Sequence, residues 1–446
     1  APHCDVVFAV CIALPLSHAL HVNTDVTLRR MNSAALSWDA VDAALPDRRE
    51  GRLLDSASLQ AQTLNAGPRR FGPAHPGEGA IMINEFLRGL RVLDLSQYLP
   101  GPFATRLLAD MGAEVVKVEP PAGDPLRSLD TSAKPGGASP FYRMINAGKM
   151  VLALDLKDEA DNAALSRLVD RADVLLESFR PGVLDRLGFG PERLQELNPG
   201  LIHCALSGFG QTGPYRLTPG HDLGYVAATG TLDATGTVEM PVIPYPPMAD
   251  HAGSMQAVTT ILGALIARAT SGKGCFIDVS LSESLLAWQA PALTVPPARG
   301  AAVINGGAAF YQIYRTADGR FVTLSPLEPK FWAAFCTAVG RPEWIPRQFE
   351  PLPQTALIGE LAELFAGKPR VHWDELLLPA DCCYEPAWTC AEVPEHPQVK
   401  ARDLLHRREG MIEVLFPAYV DGNPPPPPAE VRDAEVGEVL AAWEAA

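Results

Sequence analysis

The stretch LTPGHDLGYVAATG at 217–230 sets His221 and Asp222 side by side, directly after Pro219 and Gly220. An imidazole titrates near neutrality, at roughly pH 6.5, so His221 is suited to moving protons. Asp222 is suited either to orienting that imidazole or to attacking an acyl carbon as a carboxylate nucleophile. Taken alone, the pair reads more simply as a surface histidine beside a helix N-cap aspartate. Two more carboxylates stand in suggestive surroundings. Asp250 lies in PPMADHAGSM, where the plainer reading is an N-cap just ahead of a helix, and Glu328 lies between prolines in SPLEPKFW, where it also reads as a solvated loop residue. The glycine-rich SGFGQTG at 207–213 follows a strand, which is where open α/β sheets seat ligands, although it reads equally as a tight turn. No GxGxxG or GxxxxGK[ST] occurs, so dinucleotide-fold and P-loop chemistry lack their main support.

The elements that must position these residues begin at Met82. VLDLS, AEVVKVEPP, MVLALDLK, DVLLESF, LIHCALSGFG and FIDVSL read as buried strands. Helices through FATRLLADMG and EADNAALSRLVDRA, and one near GVLDRLG, separate them, which predicts a mainly parallel sheet covered on both faces. SMQAVTTILGALIARATSGKG reads as a long helix that Gly272 and Gly274 are placed to terminate. NGGAAFYQIYRTADGRFVTLSP at 305–326 predicts two strands joined by an Asp318-Gly319 turn and followed by a helix. The expected organisation is therefore a poorly ordered extension over 1–81 and a large α/β domain over 82–299. A smaller α+β domain over 300–390 follows, and 391–446 returns to the large domain through PPPPP and a last helix.

Composition narrows the partners. A chain of 446 residues, 47% hydrophobic, has material for two or three domains. A net charge of -15 argues against nucleic acid, which needs a basic face, but leaves a small phosphorylated ligand that needs only a local basic pocket. The 8 cysteines are scattered with no CxxC pair, which points to reduced thiols in the cytoplasm and to no zinc site. VVFAVCIALPL at 6–16 is too short to span a bilayer; as a signal-peptide core it has Asp5 before it and no basic cluster.

Taken together and in this order, LRGLRVLDLSQYLPGPFATRLLADMGAEVVKVEPPAGDPLR, NAGKMVLALDLK, ADVLLESFRPGVLDRLGFG, NPGLIHCALSGFGQTGP and GHDLGYVAATG resemble the family III CoA-transferase family (CaiB/BaiF type). That family includes α-methylacyl-CoA racemases, and the resemblance runs from about Leu87 to the C-terminus. It implies a Rossmann-like large domain, a small domain, two subunits interlaced as a homodimer, and acyl-CoA thioester substrates. It implies no metal and no cofactor beyond coenzyme A as part of the substrate. In the transferases an aspartate at the position of Asp222 carries the acyl group as a mixed anhydride. In the racemases a histidine at His221 and an aspartate at Asp250 exchange the α-proton on opposite faces, and a glutamate at Glu328 reaches the site from the small domain. By the same matching, coenzyme A contacts Leu154, Asp155, Leu156, Lys157, Gly220, Leu223, Gly224 and Tyr225. Lys149, Arg180 and Arg186 are phosphate partners on charge grounds, with solvated surface residues as the alternative. His221, LEPKFW and NGGAAFYQIYRTADG favour the racemase branch over the transferase one; Pro120 departs from it, standing where racemases carry an arginine.

Removal of residues 1–81 is expected to leave a folded, active dimer, because regular patterning starts at Met82. Thermal melting and acyl-CoA turnover of the truncated protein check this, and a clear loss of either contradicts it.

Overall fold

The computed structural model describes residues 81–129 and 138–445. The extension expected over 1–81 lies outside these residues except for its last position. Strands β1 (Arg91–Leu95), β2 (Glu114–Glu119), β3 (Met150–Ala153), β4 (Val174–Glu177), β5 (Ile202–Ser207) and β6 (Cys275–Ser280) are all parallel to their neighbours, in the order β3-β2-β1-β4-β5-β6. Short apolar runs bounded by helices dictate this: a strand that is apolar on both faces must be covered on both. On one face Val92, Val174, Leu176, Cys204 and Leu206 pack against helices Pro100–Asp110 and Met248–Ser271. On the other, Leu93, Val116, Leu152 and Leu175 pack against Leu165, Leu168 and Val169 of helix Glu159–Arg171.

A separate antiparallel sheet is built from β7 (Gln312–Arg315), β8 (Phe321–Leu324) and β9 (Tyr384–Pro386). The β7–β8 hairpin turns at Asp318-Gly319, where Gly319 has φ +78°, as the sequence pattern requires. Helix Pro329–Ala338 follows and, with Trp344, Phe365 and Trp373, closes a core of its own. A hairpin of β10 (Leu405–Arg408) and β11 (Met411–Val414) leads to the proline run. Then β12 (Arg432–Asp433) adds to the large sheet beside β3, and helix Val436–Ala445 sets Val439, Leu440 and Trp443 into the core of the second face. Among the described residues no helix is long and apolar enough to cross a membrane.

Two helices start earlier than their apolar pattern. Helix Pro100–Asp110 opens on Pro100 and Pro102, whose fixed φ and missing N–H suit a first turn. Helix Met248–Ser271 opens after Pro247, so that Asp250 sits within its first turn rather than ahead of it. Gly272 ends that helix at φ +68°, but Gly274 does not share the task. A Cβ on Gly274 would meet the Leu201 carbonyl oxygen at 1.9 Å, so this glycine lets β6 approach the chain entering β5.

Trp443 is 1% exposed, and its Nε1 donates to Glu114 at 3.0 Å. Trp443→Ala is expected to destabilise the protein by roughly 3–5 kcal/mol, as for other large-to-small core changes. Urea denaturation of the two proteins measures the difference.

Candidate active site

A doubly wound sheet offers a crevice where its strand order reverses, between β1 and β4 here, beyond the carboxyl ends of the strands. The loops leaving those strands are Ser96–Leu99 and Ser178–Pro181, joined where the Gln97 N–H donates to Ser178 Oγ at 3.2 Å. They bound a cavity of ≈ 690 Å³ whose lining includes Tyr98, Leu99, Phe179, Arg180, Gly220, His221, Tyr225 and Asp250. A second cavity of ≈ 210 Å³ is lined by Leu154, Asp155, Leu156, Lys157, Pro120 and Leu187. Gln97 and Phe179 line both, so one crevice runs from the end of β3 to His221.

His221 stands at the N-cap of helix Asp222–Ala228 with its side chain exposed. The turn before it is fixed from inside. Tyr225 is buried and its hydroxyl donates to the Gly220 carbonyl at 2.8 Å. A Cβ on Gly208 would lie 2.3 Å from that hydroxyl oxygen, and one on Gly220 would lie 2.8 Å from the ring. Gly208 and Gly220 therefore leave room for the tyrosine, whose hydroxyl pKa burial pushes up to about 12.

Asp222 does not cap its own helix. Its Oδ1 accepts from the N–H groups of Ala249 at 2.7 Å and Asp250 at 3.1 Å, in the first turn of helix Met248–Ser271. Pro247, the residue before that helix, has no side-chain acceptor, so Asp222 supplies the cap from a different element. Asp250 then lines the cavity as a half-buried carboxyl. Burial, with the neighbouring Asp222 charge adding to it, raises its pKa from 3.8 to about 7. The site thus brings an imidazole and a carboxyl that holds its proton up to neutrality to one cavity, with a second carboxylate bracing the latter's helix.

Lys149 is a correction. It is 1% exposed, and its Nζ donates to Asp94 Oδ2 at 3.0 Å, the Pro102 carbonyl at 2.9 Å and Asn146 Oδ1 at 2.9 Å. All three protons are used inside the fold and none is left for a phosphate. Arg180 does line the larger cavity. Arg186, Leu223 and Gly224 are exposed outside both linings, and Glu328 is exposed at the N-cap of helix Pro329–Ala338, also outside them. Sequence reasoning missed Gln97, Tyr98 and Phe179. The rule that ligands sit at strand ends pointed at their loops, but only the strand order makes those loops neighbours. Buried Glu177 holds the last of them, accepting from the Phe179 N–H at 2.6 Å.

Residues 87–427 match the model of the CoA-transferase family III. The chain belongs to this family. It is 36% identical over 361 residues to the human alpha-methylacyl-CoA racemase, covering 79% of this chain and 91% of that one. It is also 34% identical to the acetyl-CoA:oxalate CoA-transferase of Acetobacter aceti, over 80% of this chain and 96% of that enzyme. A CaiB/BaiF family protein from Brucella suis superposes with a TM-score of 0.70 at 28% identity, over 80% of this chain and 98% of its own. The family frame thus carries both chemistries expected from the motifs, and the arrangement around Asp222 and Asp250 is what this chain does with it.

The Asp250 carboxyl makes a test independent of turnover. From about pH 4 to about pH 7 the folded protein keeps a proton that the unfolded chain has released. Stability contributed by this group is therefore lost as pH rises through that window. Asp250→Asn is expected to match the wild type near pH 4 and to exceed it at pH 8 by on the order of 1–3 kcal/mol. Urea titrations at the two pH values read the difference.

Proposed function

We propose that this enzyme racemises a 2-methyl-branched acyl-CoA by two-base transfer of the α-proton. One observation carries the reading: Oδ1 of Asp222 is engaged by two backbone N–H groups of the Asp250 helix, while Asp250 and His221 share a cavity. An anhydride mechanism needs the Asp222 carboxylate at the surface of that cavity, and Asp222 is not among the residues lining it; proton exchange uses Asp222 where it stands, as the brace of the Asp250 helix. The nucleotide end of coenzyme A lies against Leu154–Lys157, passes Gln97 and Phe179, and brings the thioester to His221, with Arg180 facing its phosphates. Leu223 and Gly224 follow from family matching alone, and Arg186 from its charge alone.

In the reaction one of His221 and Asp250 takes the α-proton. The electron pair of the broken C–H bond enters the α-carbon–carbonyl bond, and charge collects on the thioester oxygen. The Asp222 N–H, at the first residue of helix Asp222–Ala228, has no helical carbonyl to meet and is available to that oxygen. The second group then donates its proton to the opposite face. No metal and no cofactor beyond coenzyme A enters. The working form is a cytoplasmic, interlaced homodimer, with Glu328 reaching the site from the small domain.

The test is deuterium incorporation from D2O into each enantiomer of a 2-methylacyl-CoA, with no acceptor acid present. Wild type is expected to exchange both. His221→Ala and Asp250→Asn each lose interconversion by about 10²–10⁴-fold while keeping wash-out from one enantiomer. Asp222→Asn loses less than either. Conversion of Asp222 to its hydroxamate by hydroxylamine during turnover, with no deuterium in the substrate, establishes CoA transfer instead.

A further inference from the structure

Tyr98 is absent from the roles assigned above, yet its backbone is held in the left-handed region, at φ +63°. A bulky residue persists there only when its surroundings over-determine it, and such residues gather at functional sites. The surroundings here are explicit. Fully buried Lys117 donates to the Ser96 carbonyl at 2.6 Å, Ser178 accepts from the Gln97 N–H, and Asp124 Oδ1 accepts from the Tyr98 N–H at 3.4 Å. Three consecutive residues are thus clamped from beneath, and the Tyr98 side chain is delivered into the cavity, 44% exposed. Its ring meets the His221 imidazole edge-on, with centroids 6.3 Å apart and planes at 75°. Among the described residues the imidazole has no side-chain hydrogen bond or ion pair, and it does not cap its own helix. Among the described residues the tyrosine supplies the aromatic ring that the imidazole meets.

We propose that Tyr98 is the positioning residue of His221, the wall that keeps an otherwise untethered imidazole turned toward the α-carbon. The proposal rests on the two-base reading for its catalytic consequence, but not for its structural one. It predicts an asymmetry that damage to the fold does not produce: loss of Tyr98 impairs the half-reaction run by His221 and spares the one run by Asp250.

Glycine suits a positive φ better than tyrosine does, so Tyr98→Gly removes the ring without adding backbone strain. In the full-length protein, with exchange followed separately from each enantiomer in D2O, Tyr98→Gly is expected to slow one rate by about 10–100-fold. That enantiomer is the one whose exchange His221→Ala abolishes, and the other stays within about twofold. Tyr98→Phe, which keeps the ring edge, restores the lost rate. Equal slowing from both enantiomers, an unchanged rate, or failure of Phe to rescue overturns the proposal. A second measurement does not depend on the reaction. Carbon-13 relaxation of the His221 imidazole, assigned by its disappearance in His221→Ala, is expected to show greater ring mobility in Tyr98→Gly and wild-type mobility in Tyr98→Phe. Unchanged mobility in the glycine variant overturns the proposal even if wild type exchanges neither enantiomer, the outcome that refutes racemisation itself.

Discussion

One carboxylate oxygen ties the active site together. Oδ1 of Asp222 accepts two N–H groups from the first turn of helix Met248–Ser271, a helix that starts after a proline and has no cap of its own. The cap fixes where Asp250 stands relative to His221, because His221 is the residue directly before Asp222. It also places a negative charge beside Asp250, which together with burial favours the protonated carboxyl. A single interaction therefore sets the spacing of the two groups and adds to the burial that protonates one of them. The adjacency of His221 and Asp222 follows: one faces the cavity while the other faces the helix that carries Asp250.

The opposite wall depends on charge buried beneath the sheet's crevice. Asp94 is fully buried on β1; burial alone favours its protonation, but Lys149 and Lys117, with hydroxyls from Ser96 and Thr105, hold its carboxyl far below the usual range. Lys149 is in turn pulled down to about 8, burial outweighing the attraction of Asp94. Removing one member of such a group leaves an uncompensated charge in the interior, typically at a loss of 3–5 kcal/mol. The reason to tolerate it is positional. Lys117 holds the Ser96 carbonyl and also pairs with Asp124 at 3.1 Å, and Asp124 reaches the Tyr98 N–H. The network converts buried electrostatics into a rigid loop that carries a side chain in a conformation it would not otherwise keep.

Much of this was legible in the sequence, and the reasons for the remainder are physical. Parallel strands that are apolar on both faces announce themselves, and so do the Asp318-Gly319 turn and the Gly272 helix stop, because each is a local rule. The helix starts at Pro100 and Met248 were hidden because proline reads as a breaker until its place in the first turn is known. Lys149 looked like a surface cation since NAGKM has no period, and only the fold places Asp94, Pro102 and Asn146 around its ammonium group. Tyr98 and Phe179 escaped for a longer-range reason. Their loops meet through Gln97 and Ser178, 81 residues apart, and nothing local in either stretch says that β1 and β4 are neighbours.

The same logic resolves how a chain of net charge -15 suits a polyanionic ligand. Its described arginines are mostly spent on carboxylates: Arg106 on Asp110, Arg127 on Glu119, Arg268 on Asp173, Arg320 on Glu392, Arg347 on Glu350 and Glu360. The cations lining the crevice are different. Lys157 borders the smaller cavity, and Arg180 and Arg216 border the larger; all three are exposed, and none forms an ion pair among the described residues. An unpaired guanidinium keeps its donors for a phosphate, while one already paired must first be released. Selectivity for an anionic ligand on an acidic protein therefore comes from which cations are left without a partner, rather than from how many there are. The cations left unpaired at the crevice are on the two loops that also carry Phe179 and His221, and on the LDLK turn at its far end.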